Sequence, residues 1–309
     1  NRNNNFDSNI KIKEGFLIVV LFWVLLSFFG SFPFMFDINL SMSFVDAFFE
    51  SVSGWTTTGA TIISNLDDLS PSILIYRQLL QWLGGMGIVV LALAVLPMLG
   101  VGGMQLYKAE SGGPIKDNKI SPRIAETAQN LWKVYLGLTL LCAGAYYLAG
   151  MNLFDAIAHS FSTIAIGGFS THSQSIAYFN SFEIEIVCMI FMFLSALNFI
   201  LHFHSLKSQS LKIYFKDVEF RLYITLIIVI SFLLLTYSSF AYANQVSVMG
   251  ILFQVISFIT TSGFISTSYE DWPVSIISTL IFLSFLGACA GSTGGGIKII
   301  SYTISMCFE

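Results

Sequence analysis

Residues 50–62 read "ESVSGWTTTGATI": three consecutive threonines, Thr56, Thr57 and Thr58, run into Gly59 and Ala60. The segment lies between two apolar runs, 15–36 and 71–101, each long enough to cross a bilayer, which takes about 20 residues. The helical part preceding the threonines has room for about ten residues, which at about 1.5 Å each cover half of the hydrocarbon core. Such a half-helix leaves the polar loop at mid-membrane. Non-helical backbone at that depth is tolerated only where protein buries it or water lines it. The stretch therefore belongs inside a bundle.

The rest of the chain agrees. Of its 309 residues 55% are hydrophobic and 10% charged, and the mean hydropathy is +0.76. Soluble domains carry about a quarter charged residues, so an all-α integral membrane protein is expected. The net charge of -4 says little, because few of the charges share one surface; no nucleic-acid partner is expected. Cys142, Cys188, Cys289 and Cys307 stand singly, without CxxC spacing, and read as small buried hydrophobes. His202 and His204 form a lone HxH that reads as polar punctuation at a helix end. No cleavable leader is expected in the polar opening "NRNNNFDSNIKIKEG", and the abrupt ending "CFE" reads as that of a fragment.

Basic residues divide the chain. Of 14 Lys and Arg, three lie at the start, five in 108–133 and four in 207–221, leaving Arg77 and Lys298. Basic loops stay on the cytoplasmic side. The expected layout is a cytosolic lead-in (1–14), a first unit (15–103), a cytosolic loop (104–130), a second unit (131–204), a cytosolic loop (205–220) and a third unit (221–309). Each unit holds an apolar run (15–36, 131–150, 221–243), a short segment with a Thr/Ser/Gly end, and a return run (71–101, 182–203, 273–309). Internal repetition of this kind decides architecture.

Register makes the repeat quantitative. With Gly59, Gly168 and Gly263 in one column, the position sixteen residues earlier holds Ser43, Asn152 and Ser247, all good helix N-caps. Thirteen earlier stand Asp46, Asp155 and Gly250, and six earlier Ser53, Ser162 and Ser257. Each unit reads as helix, capped half-helix, polar loop, helix.

Chemistry follows from that shape. A half-helix directs the negative end of its dipole, about half a charge, toward its loop. The loops "TTTGAT", "TIAIGGFS" (163–170) and "ITTSGFIS" (259–266) add carbonyl and hydroxyl oxygens. Such oxygens replace the water shell of a monovalent cation. The glycine permits backbone angles that a residue with a Cβ resists. Side chains vary between the loops while the glycine stays, as expected if the main chain coordinates. Small residues also serve plain helix packing, but three loops in register behind capped half-helices favour a cation filter.

These residues resemble the Trk/Ktr/HKT superfamily of potassium transporters, and most closely its TrkH-type membrane subunit. The resemblance runs through "SVSGWTTTGATI", "QWLGGMGI" (81–88), "STIAIGGFSTH" (162–172), "LNFILHF" (197–203) and "GACAGSTGGGIKII" (287–300). It implies four helix–pore loop–helix units around one pore, of which three are present here. It implies a homodimer in the bacterial inner membrane and a cytosolic ring of TrkA-like nucleotide-binding regulatory subunits. It places potassium, as substrate and with no cofactor, at Thr57, Thr58 and Gly59, at Ile166, Gly167 and Gly168, and at Thr261, Ser262 and Gly263. A sodium-permeable transporter of the same superfamily is the near alternative.

Gly291, Ser292, Thr293, Gly294, Gly295 and Gly296 interrupt the last apolar run, where so many small residues break a helix. A phosphate-binding loop needs Lys directly after its second glycine, whereas Ile297 intervenes before Lys298. The resemblance implies instead an intramembrane loop gating the pore, with Lys298 beside it. Arg77 is expected near the outer start of its helix, as an interfacial anchor or the partner of an outer carboxylate. Asp67, Asp68, Glu183, Glu185, Glu270 and Asp271 read as outer solvated acids able to concentrate cations. An ion-coupled carrier of a small solute, the rival transport reading, usually shows inverted repeats, and these three run in one sense. An enzyme is not expected, because His159 and His172 have no evident catalytic partner.

Overall fold

A computed structural model describes residues 12–95, 120–241, 246–269 and 271–298; Arg2, Lys11, Lys108, Lys116, Lys119, Glu270, Cys307 and the ends of the first and last return runs (96–101 and 299–309) lie outside them. Among the described residues every regular element is helical. The first unit comprises α1 (Ile12–Gly30), a short α2 (Phe32–Phe36), the half-helix α3 (Phe44–Trp55) and the return helix α4 (Pro71–Val95). The second has α5 (Ile120–Leu148), the half-helix α6 (Leu153–Ala165), and a return made of α7 (Phe182–Ser195) and α8 (Phe199–Ser208). A connecting turn, α9 (Lys212–Lys216), leads to α10 (Val218–Ala241), the half-helix α11 (Val248–Thr260) and α12 (Val274–Leu286). Spans 19–36, 127–148 and 218–240 are long and apolar enough to cross a membrane. Their exposed faces carry residues such as Leu21, Phe29, Leu140, Leu141 and Phe232, the surface a lipid solvent requires.

All three half-helices start as expected. Ser43 Oγ accepts from Asp46 N, Asn152 Oδ1 from Asp155 N, and Ser247 Oγ from Gly250 N. Each cap contributes about 1 kcal/mol. They also end alike. The amides of Thr58, Gly167 and Ser262 each donate 2.9 Å back to the carbonyls of Ser53, Ser162 and Ser257. That is the six-to-one closure of a Schellman ending, which needs a left-handed residue just before it.

Two expectations change. Residues 120–130, expected in a loop, are helical; Pro122 sits in the first turn, where its missing N–H is not needed. The second return run, expected as one segment over 182–203, breaks between α7 and α8 with a bend of 94°. Asn198 makes the new start possible, because its side chain accepts from Ile200 N at 2.9 Å. Apolar packing centres on the second unit, where Tyr135, Cys142, Tyr146, Ile164, Cys188, Met192 and Phe199 join Phe253 and Phe264 of the third. The loops are thereby held against a close-packed centre.

Candidate functional site

The three polar loops share one backbone. Thr57, Ile166 and Thr261 all adopt left-handed angles (φ 54°, 53° and 67°), and two residues later Gly59, Gly168 and Gly263 do so again (φ 76°, 76° and 78°). For a β-branched residue this region is a true outlier and costs about 1–2 kcal/mol. Strain repeated three times at one register marks a site whose surroundings over-determine it. The glycines serve a second need. A Cβ at Gly59 would collide with the carbonyl oxygen of Gly167, and one at Gly168 with that of Ser262. Loops 1 and 2, and loops 2 and 3, therefore meet edge to edge through the same pair of register positions. At Gly263 none of the described residues stands within 4 Å of that point. Thr56, Thr58, Ala60 and Gly263 are exposed, whereas Ile166 and Gly167 in the middle loop are buried.

Side chains behind the loops fix them. Ser53 Oγ donates to Ala60 O at 2.6 Å and Ser257 Oγ to Phe264 O at 2.7 Å, one residue past the column glycine in each case; Ser162 Oγ makes no such bond. Gln81, fully buried on α4, donates from Nε2 to Gly167 O at 2.6 Å and accepts from Phe169 N at 3.2 Å. The Gly167 carbonyl, one of the expected ion ligands, is thus engaged from behind. Met192 sits ten residues into α7 as Gln81 sits ten into α4, and its sulfur accepts from Ser262 Oγ at 2.7 Å. The first two return helices thus each brace the loop of the following unit. α4 approaches closely because it has Gly84, where a Cβ would collide with Trp55 O.

Below the loops lies a cavity of about 330 Å³ lined by Thr56, Thr57, Thr58, Ile166, Thr261, Thr293, Gly294, Gly295 and Lys298. It joins the loops to the glycine-rich break after α12. That break is pinned at many points. Thr293 Oγ1 donates to Ile164 O at 2.9 Å, Gly295 N donates to Thr261 Oγ1 at 2.7 Å, and Lys298 Nζ donates to Gly294 O. Ser292 Oγ donates to Cys289 O at 2.6 Å, and Ala290 N donates to Glu219 Oε1 of α10 at 2.8 Å. Gly291 and Gly296 take positive φ. The break in the second return helix meets this one directly: Phe199 N donates to Gly291 O and Cys289 N to Ala196 O, both at 3.0 Å.

Comparison with known proteins gives the chain a family. The family described as "TrkH: Cation transport protein" matches residues 2–306. The chain belongs to the TrkH family. It is 53% identical over 304 residues to a Vibrio parahaemolyticus protein and 52% over 301 to an Escherichia coli protein, both named Trk system potassium uptake protein TrkH. Each alignment covers 96% of this chain and 62% of the relative. Against a solved structure, the crystal structure of the potassium transporter TrkH from Vibrio parahaemolyticus, the TM-score is 0.84 at 49% identity, covering 97% of this chain and 62% of that one. The TrkH-family chain thus spans about 62% of the length of these relatives, which are transporters and not enzymes.

Several residues of this TrkH-family site escaped the sequence reading. Arg77 is fully buried rather than interfacial, and its carboxylate partner is Glu50, inside α3, at 2.8 Å; Glu50 is not among the outer acids. The mouth of the second unit is also tied. His172 Nδ1 meets Asp67 Oδ1 at 2.6 Å and Nε2 meets Asp155 Oδ2 at 3.3 Å, while its ring stacks on Tyr178. Although burial pushes the Asp67 carboxyl up, hydrogen bonds from His172 and Ser173 hold it below its ordinary value. Asp67 is therefore a partner in a tether, not a free acid. His202 lies inside α8, buried, between Tyr214 Oη at 2.6 Å and Leu194 O at 2.9 Å, and so braces the bend. Among the described residues no cluster of His, Cys, Asp and Glu is arranged to hold a metal ion.

Proposed function

We propose that this chain forms three walls of a potassium-selective pore that takes up the ion across the bacterial inner membrane. One observation carries the reading: three loops of the same strained backbone, each behind a capped half-helix, meet edge to edge at Gly59/Gly167 and Gly168/Ser262. Three half-helix dipoles converge their negative ends on that point, and main-chain oxygens are available to replace an ion's water. Carbonyls of Thr57, Thr58, Ile166, Thr261 and Ser262 and of the column glycines are the ligands, with Gly167 shared with Gln81. The basic loops face the cytosol, and the caps at Ser43, Asn152 and Ser247 face the periplasm.

A fourth wall closes the ring on the side of Gly263 and Thr58. Support comes from the space beside Gly263, which none of the described residues fills. It also comes from Ser284, ten residues into α12, which bonds Ile281 O of its own helix rather than a following loop. Beneath the filter, the segment 291–296 with Lys298 is the gate: it underlies the cavity and is held by hydrogen bonds that local movement can break one at a time. The family resemblance adds a second copy of the chain and a TrkA-like cytosolic ring as partners.

The test is flux. Full-length protein in proteoliposomes is expected to take up potassium and rubidium and to admit sodium poorly. Uptake of none of these ions by folded protein would refute the reading.

A further inference from the structure

Nine residues before the column glycines stand Glu50, His159 and Gln254, and two residues after them Thr61, Ser170 and Ile265. In the first two units these positions pair, linking half-helix to loop. Thr61 Oγ1 donates to Glu50 at 2.9 and 3.1 Å, and His159 Nε2 meets Ser170 Oγ at 2.9 Å. In the third unit the partner is isoleucine, and both amide atoms of buried Gln254 have no hydrogen bond.

Arg77 adds a crossing link. From α4 its Nε donates to Glu50 Oε1 at 2.8 Å and its Nη2 to Thr61 Oγ1 at 3.0 Å, both in the first unit. Its Nη1 donates to Ser170 O of the second loop at 3.2 Å, and its guanidinium lies 4.1 Å over the Phe169 ring. One planar fork therefore holds two filter strands at a set spacing, which a lysine's single ammonium does not reproduce. Arg77 and Glu50 are both fully buried. Stability alone does not account for such a pair, because well-packed apolar replacements of buried ion pairs are often neutral or better.

We infer that the Glu50–Arg77 pair is a positioning element that sets the pore's ion selectivity by clamping the first filter loop to the second, without either residue touching the ion. The inference rests on the potassium-filter reading. Discrimination between two cations of equal charge depends on the number and disposition of carbonyl oxygens. The seam between loops 1 and 2 is where charge fixes that disposition; the third loop is held by a thioether and two serines.

The experiment compares potassium with sodium uptake by full-length protein in proteoliposomes, for wild type, Glu50→Gln/Arg77→Met, Arg77→Lys and Thr61→Val. The double variant leaves no orphaned charge, and Thr61→Val removes only the hydroxyl at the hub. Monodispersity after purification reports folding. The expected result is wild-type preference for potassium, about a tenfold loss of that preference in the double variant and in Arg77→Lys with total cation flux retained, and a smaller loss in Thr61→Val; tenfold corresponds to about 1.4 kcal/mol. A purely structural pair would lower thermal stability and leave the ratio unchanged, and that result overturns the inference. Where the Arg77 variants fail to fold, an unchanged ratio in Thr61→Val overturns it. A wild-type protein that carries no potassium refutes the filter reading, and this inference with it.

Discussion

Gly59→Val is expected to lower potassium uptake by about a hundredfold or more while the protein still reaches the membrane. Two effects combine. The backbone at Gly59 sits at φ 76°, where a β-branched residue is strained by about 1–2 kcal/mol. The new Cβ would also meet the carbonyl oxygen of Gly167, and that oxygen cannot retreat freely because Gln81 Nε2 holds it at 2.6 Å. Either loop must then leave its position, and about 2.7 kcal/mol of lost transition-state stabilisation corresponds to a hundredfold in rate. Rubidium uptake by proteoliposomes at equal protein content measures it. Gly168→Ala meets the same obstacle from Ser262 O. Gly263→Ala carries an added meaning: none of the described residues meets its Cβ position, and a fourth wall in the full-length protein would make it as damaging as Gly168→Ala. Near wild-type uptake by Gly59→Val would show that the seam does not shape the pore.

Arg77→Met alone is expected to destabilise the protein by about 3–5 kcal/mol, because it leaves the Glu50 carboxylate buried and unpaired. Glu50 is fully buried and its remaining donors are Thr61 Oγ1 and Ile62 N. Adding Glu50→Gln to Arg77→Met removes the orphaned charge and is expected to recover most of that loss. Thermal unfolding of detergent-purified protein reads the order directly: wild type and double variant close together, Arg77→Met well below both. A single variant as stable as the double would mean that Glu50 carries no buried charge.

The architecture was legible because it is written three times. Caps at Ser43, Asn152 and Ser247, serines six residues before each glycine, and the glycines themselves are constraints that one unit alone could hide. The apolar spans followed from composition and length. Much of what holds the loops did not follow, although part of it lay in the same alignment. Glu50, His159 and Gln254 share a column but differ in chemistry, so the shared position shows only once the backbone places them. Gln81 and Met192 share a turn of two return helices across different loop lengths, and no register from the column glycine relates them. Arg77 pairs with a carboxylate, but a buried one, because distance along the chain from a helix start says nothing about which face is buried. The bend at residues 196–198 lacks the glycine run that announced the break after α12; it is fixed by Asn198 and by backbone bonds to that distant loop.

The central claim is that a cation sheds its water among the carbonyls of these loops. Anomalous scattering from crystals of the full-length protein grown in rubidium or thallium tests it most directly. The predicted result is a peak on the axis between Gly59, Gly168 and Gly263, within coordinating distance of main-chain oxygens from all three loops. A well-occupied ion elsewhere in the bundle, with this position empty, would contradict the account.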